Sequence, residues 1–139
     1  MATMMAAAMT PADFAKTFEA NFNALDPAAL ASTYPADAVL NLRGGGNTFC
    51  GPEAIKAALA NFMAAQLPMK TTPKVVLHSG PLAVVFFNWV IDGTGPDGTH
   101  VHMQGSSATD VLRLETGGTW RCVLDHPFGS ATAAAAAAE

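Results

Sequence analysis

The chain has 139 residues, of which 50% are hydrophobic, enough for one compact domain with its own core and too few for a second able to stand alone. Net charge is -4 and the 7 Lys plus Arg are scattered singly, so no basic stripe is available to neutralise phosphates and nucleic acid is not an expected partner. Only 13% of residues are charged, about half of the roughly 25% usual in soluble proteins, and mean hydropathy is +0.26; part of the surface is therefore expected to be covered by a partner subunit.

Residues Met1 to Met9 are rich in Ala and Met but carry no Lys/Arg segment, and the apolar stretch stops at Thr10-Pro11, so no signal peptide is expected. No later run is long enough to span a bilayer. Cys50 and Cys122 have neither CxxC spacing nor a nearby His pair, and both read as buried small hydrophobes in a reducing, cytoplasmic setting. Residues 1–10 are expected to be a disordered or flexible N-terminus, 11–129 a single domain, and 130–139 an Ala-rich tail with no face to pack.

Thr10-Pro11-Ala12-Asp13 offers an N-cap hydroxyl, a proline at the first helical position and an acid in the first turn. Phe14, Phe18, Phe22 and Leu25 follow at helical spacing and predict a first helix. Asp26-Pro27 repeats the device for a short helix over Ala28 to Tyr34 that Pro35 stops. Ala38 to Leu42 predicts a short strand, Gly44-Gly45-Gly46-Asn47 a loop, and Thr48-Phe49-Cys50 its return. Gly51-Pro52-Glu53 opens a third helix carrying Ile55, Leu59, Phe62 and Met63, ending near Pro68.

From Lys70 the hydrophobic period changes from 3.6 to 2. Strands are predicted at Thr72 to His78, Leu82 to Asp92, Thr99 to Leu114 and Thr119 to His126, joined as sequential antiparallel hairpins. Helices first and strands afterwards argue an α+β domain, three helices packed on one face of a curved sheet, with Gly105 a natural place for a bulge or bend.

This order resembles the nuclear transport factor 2-like (NTF2-like) superfamily, together with the motifs Asp37-Ala38-Val39, Gly51-Pro52-Glu53-Ala54-Ile55, Asp110-Val111-Leu112-Arg113 and Trp120-Arg121-Cys122-Val123-Leu124-Asp125-His126. Within it the chain is most similar to the SnoaL-like and DUF4440 proteins, relatives of ketosteroid isomerase and of the calcium/calmodulin-dependent kinase association domain. The resemblance runs from about residue 11 to residue 129. It implies a cone whose open mouth is the ligand site, and a homodimer formed through the outer sheet face. Two ketosteroid isomerase groups have no counterpart: the helix-one tyrosine falls on Phe18, and the strand-end aspartate base falls on Leu42, after Asn41. Steroid isomerase chemistry as such is therefore not expected.

By the same resemblance, the last strand turns Val123 and Asp125 toward the cone and Trp120, Cys122, Leu124 and His126 away. Asp125 is then a carboxylate in an apolar cup, where desolvation raises its pKa toward that of a general acid or base. The same register puts Asp110, Ala108, Ser106, Gln104 and His102 on the pocket side, unless a bulge at Gly105 flips the residues before it. Asp110 and Asp125 on neighbouring strands then make a carboxylate pair with split pKa values. The competing reading has each acid accept bonds from Arg113, Arg121 or a loop backbone.

His100 and His102, two apart on one strand, could share a metal ion, but no third ligand lies close in sequence, so no metal or other cofactor is expected. His126 either orients Asp125 or serves a dimer face, and His78 reads as a turn residue. One of Asn88 and Trp89 must point inward, as a ligand donor or as a stacking wall. Tyr34 is expected in the core with its hydroxyl at the pocket. Phe14, Phe18, Phe62, Phe86 and Phe87 read as core or pocket wall, and Asn41 as a ligand contact. The triple glycine is no phosphate loop, because no GK[ST] follows it.

Two functions fit. The first is a small-molecule-binding protein acting as a cofactor-independent isomerase, dehydratase or cyclase on an apolar carbonyl or hydroxyl compound. Asp125 is the base there, His102 or Gln104 polarises the oxygen, and Tyr34 and Trp89 hold the substrate. The second is a non-catalytic NTF2-like binding or oligomerisation module, its cup closed by Phe and Met side chains.

Overall fold

A computed structural model describes residues 7–42 and 47–129; the loop expected at Gly44-Gly45-Gly46, the first six residues of the expected flexible N-terminus and the Ala-rich tail lie outside the described residues. Pro11–Asp13 forms a single 3-10 turn that feeds α1 (Phe14–Asn23), and the Thr10 hydroxyl makes no capping bond. Asp26 does cap α2 (Pro27–Ala31), its carboxylate accepting from the backbone N–H groups of Ala28 and Ala29. β1 (Val39–Asn41) and β2 (Thr48–Cys50) precede α3 (Pro52–Met63), and then come β3 (Met69–Ser79), β4 (Leu82–Thr94), β5 (His100–Leu114) and β6 (Trp120–His126).

The strands form one six-stranded sheet in the order β2-β1-β6-β5-β4-β3. Neighbours are antiparallel except β1 and β6, which run parallel, so the sheet is mixed where consecutive hairpins alone were expected. That pairing joins a three-residue strand to the end of the chain and leaves no local trace in the sequence. Phe14, Phe22, Leu30, Leu40, Ile55, Ile91 and Leu112 are fully buried between helices and sheet.

β3 is an edge strand, and α1 caps the start of its free edge with side chains in place of a ladder. Asn23 accepts from the Met69 N–H (2.7 Å) and donates to its carbonyl (3.0 Å), while Glu19 accepts from the Thr71 N–H (2.6 Å) and Lys16 donates to its carbonyl (2.6 Å). Backbone groups that would otherwise invite another chain are thereby satisfied. Upstream, Ala8 is buried and its carbonyl accepts from the Trp120 N–H, so the segment before Thr10 packs on the sheet from Ala8 onward. Cys50 is exposed and Cys122 buried. Among the described residues no helix is long and apolar enough to cross a membrane.

Bulges decide which side chains face the helices. In β5, Ser106 and Ser107 together oppose Asn88, and Ser107 takes a positive φ of 58° while its N–H is received by the Asn88 side chain. In β6, Val123 is the extra residue between the pairs Val111↔Leu124 and Leu112↔Cys122. Each bulge inverts the alternation on its far side.

Candidate functional site

Asp110 and Asp125 are directly opposed on β5 and β6 and turn inward, 1% and 5% exposed. They close the end of a cavity of about 30 Å³. Phe18 and Phe22 of α1, Leu59 and Phe62 of α3, and Met69, Phe87 and Trp89 of the sheet form its apolar walls, with Pro127 completing it. The space admits a water-sized group, not an organic molecule.

Tyr34 reaches the pair from the turn after α2. Thr33 fixes that turn, its hydroxyl donating to the Leu30 carbonyl and its carbonyl accepting from the Cys122 N–H, so the α2 exit is tied to β6 beside Asp125. The Tyr34 hydroxyl then donates to Asp125 Oδ2 at 2.5 Å. Cys122, turned inward by the Val123 bulge, places its sulfur by the pair and donates to the Leu124 carbonyl at 3.3 Å.

Burial, and then the neighbouring charge of Asp125, push the Asp110 carboxyl well above the usual carboxylate range. Burial raises Asp125 too, but hydrogen bonds from Asp110 and Tyr34 and the nearby His126 oppose the rise. Asp110 is therefore the member of the pair that holds a proton more tightly, and the two acids titrate together. Burial and the Asp125 charge raise the Tyr34 phenol, which stays a donor; burial and the two acids likewise keep Cys122 a thiol and a poor nucleophile. Asp110 Oδ1 has no hydrogen-bond partner, the one such buried side-chain atom among the described residues.

Donor atoms of Asp110, Cys122 and Asp125 lie within 4.8 Å of one another, a spacing that could hold a metal ion. At this buried site a metal must displace the protons of a thiol and an acid, whereas one shared proton already neutralises half of the pair.

The cavity brings together Phe18, Phe62, Trp89, Asp110 and Asp125, with Tyr34 behind Asp125. Other expected contacts lie elsewhere. The bulge at Ser106 and Ser107 turns His102, Gln104 and Ser106 to the outer face and brings Gly105 and Met103 inward, the outcome a bulge beside Gly105 was expected to have. Asn88 lies on the outer face as a partner of that bulge, leaving Trp89 as the inward residue of the two. Val123 is itself a bulge residue and does not line the cavity; Cys122 and Trp120 face inward in its place. Asn41 donates to the Thr48 hydroxyl across β1 and β2, away from the cavity. Neither acid is held by Arg113, which binds Asp37 and Glu115 instead.

Sequence reasoning placed Phe87 as core or pocket wall but passed over Phe22, Leu59, Met69, Pro127 and Cys122 as site residues. The aromatic and aliphatic ones are ordinary core residues by pattern, and nothing in the β6 sequence marks a bulge at Val123. Outside the cavity, an open groove of about 440 Å³ is lined by Leu42, Asn47, Phe62, His102, Met103, Gln104 and Phe128. Phe62 belongs to both spaces and separates them.

The chain matches the family model of the SnoaL-like domain over residues 15–123. No curated protein matches it. Among solved structures it is similar to a ketosteroid isomerase-like protein from Erwinia carotovora atroseptica (TM-score 0.69, 22% identity, covering 81% of this chain and 87% of that one). It is also similar to an NTF2-like protein with a cystatin-like fold from Novosphingobium aromaticivorans (TM-score 0.68, 20% identity, 92% and 86% covered). A third is an NTF-2 like protein of Shewanella oneidensis (TM-score 0.66, 20% identity, 82% and 92% covered). At these identities the structures speak for the fold, and the family model, spanning most of the chain, speaks for descent: the protein belongs to the SnoaL-like domain family.

Proposed function

We propose that this protein binds a small apolar carbonyl or hydroxyl compound and moves a proton on it, by isomerisation, dehydration or ring closure. The observation that carries the reading is the buried Asp110 and Asp125 pair at the end of an apolar cavity, with Asp110 Oδ1 unpartnered. A proton-loaded acid beside an ionised one supplies both halves of such chemistry, so no further group is required. Asp125 removes a proton from the carbon next to the carbonyl while Asp110 donates a hydrogen bond to the enolate oxygen that forms; return of the proton to another position completes an isomerisation. Tyr34 holds Asp125 in place and moderates its basicity.

Entry requires Phe62 to swing, since among the described residues that side chain alone lies on both the 30 Å³ cavity and the 440 Å³ groove. Phe62→Ala is expected to cost roughly 2 kcal/mol, less than the ~3–5 typical of a fully buried Phe, while admitting bulkier ligands. Urea unfolding gives the first effect and a thermal-shift series of ligands of increasing size gives the second. An unchanged ligand range would place the entrance elsewhere. Self-association belongs to the same reading: Val75, Leu77, Leu82 and Leu124 are exposed on the outer sheet face and suit a homodimer interface.

The test begins with a thermal-shift and native-mass screen of small ketones, lactones and aromatic acids, followed by turnover assays on the class that binds. Asp125→Asn should then lower kcat by about 10²–10⁴-fold with folding retained. Turnover equal to wild type in that variant would remove Asp125 from the chemistry. A protein indifferent to every compound would favour the non-catalytic module.

A further inference from the structure

We infer that Asp92, His100 and His102 form a surface site for one divalent transition-metal ion, zinc being the best fit, distinct from the buried acid pair. Two imidazoles alone make a weak site, and the sequence offers no third ligand near them. Strand pairing supplies it. Asp92 of β4 stands directly opposite His102 of β5, and His100 is the next residue on the same side of β5.

The bulge at Ser106 and Ser107 makes this possible. Without it, His100 and His102 would face the helices while Asp92, next to the buried Ile91, faced away. As folded, all three side chains share the outer face. His100 Nε2 lies 3.1 Å from Asp92 Oδ1 and His102 Nδ1 lies 3.6 Å from Asp92 Oδ2, so each ring meets one oxygen of the same carboxylate, and side-chain rotation must bring the three donor atoms, as folded not all within 4.8 Å of one another, onto a common ion. No Lys or Arg forms an ion pair with Asp92 among the described residues.

Side-chain exposures of 66% for His100, 50% for His102 and 52% for Asp92 leave an ion free access from water. Exposed His–carboxylate contacts of this type hold their side chains weakly, so rotation to metal bonds of about 2.0–2.1 Å costs little, while the ladder keeps the backbone fixed. Two neutral imidazoles and one carboxylate are the borderline donor set that suits zinc, and three protein ligands leave a coordination position for water or for an outside ligand. His102 also borders the 440 Å³ groove, so the ion would sit at its lip.

The test is isothermal titration of the full chain with zinc at pH 7.5, paralleled by cobalt titration read in visible absorption. One equivalent per chain is expected. Asp92→Asn, His100→Ala and His102→Ala should each weaken binding at least about tenfold, the size found even for outer-shell partners, with little change in apo thermal stability. His78→Ala, on a histidine bonded to its own turn at Gly80, should leave the titration unchanged. Absence of saturable binding would overturn the proposal. So would a titration unaffected in the three site variants or lost in Cys122→Ser, the latter placing the ion in the buried cluster.

Discussion

Gly105→Ala is expected to be among the most damaging single substitutions in the sheet, although it adds only a methyl group. A Cβ on Gly105 would overlap the indole Nε1 of Trp89 and the carbonyl oxygen of Pro127, two atoms joined by a 2.8 Å hydrogen bond. The glycine is there for close approach, since the indole Nε1 and Cε2 occupy the space that a side chain would need. Either Trp89 must rotate away or the Pro127 turn must lift, and both moves break the bond. Overpacking costs about 1–3 kcal/mol and loss of this partly buried hydrogen bond about 1 more, which predicts roughly 3 kcal/mol in all. For a domain of this size that is a fall of about 10 °C in Tm.

The damage should spread, because Trp89 stacks edge-on against both Phe62 and Phe128. Trp89→Phe removes the ring that meets the new methyl group, so the double variant should lose clearly less than the sum of the singles in urea unfolding. Additive losses, or a Gly105→Ala protein within about 0.5 kcal/mol of wild type, would show that the indole has room to move.

The helices and long strands were legible because each carries a strong local pattern. Asp26-Pro27 capped as read, and the apolar runs of β4 and β6 fell on strands. Facing was legible only where alternation is unbroken. On β4 it runs without interruption and leaves Trp89 inward, a parity that sequence left open because both neighbours of the pair are apolar. On β5 and β6 it depends on one extra residue in each strand. Gly105-Ser106-Ser107 is a run of small residues that hinted at irregularity, whereas Val123, β-branched and apolar, disguises its bulge completely. Asp125 reached the cavity regardless, since it lies beyond the bulge on the side where the family register applies. Asp92 as a neighbour of the histidines was invisible, being ten residues from His102 and joined to it only by the ladder.

Wild-type stability should fall as pH rises above about 4, and Asp110→Asn should abolish most of that fall. The sign follows from the direction of the shifts. Asp110 and Asp125 both have folded pKa values above the ordinary 3.8, so once the pH passes that value the unfolded chain releases protons that the folded chain retains. Folding then binds protons, and stability declines with pH at up to about 1.4 kcal/mol per unit for each proton, levelling off when the folded pKa is passed. Glu19, Asp37 and Asp97 have lowered values and act oppositely, losing stability as the pH falls through the carboxylate range. Asp37 and Asp97 are solvent-screened, and all three act below about pH 5, so they do not mask the buried pair at higher pH.

Asparagine copies the neutral, proton-donating form of Asp110: its amide can still donate to Asp125, and it has no proton to lose. The variant should therefore resemble wild type near pH 4 and exceed it increasingly from pH 5 to 8, as read by urea unfolding at each pH. Parallel curves would mean that Asp110 is ionised in the folded protein, and with that the division of the pair into a donor and a base would fail. A rising advantage would mean that the fold sacrifices stability at neutral pH to keep an acid where an amide would serve the core better. Packing would not explain such a residue, whereas the proposed proton donation to a substrate would.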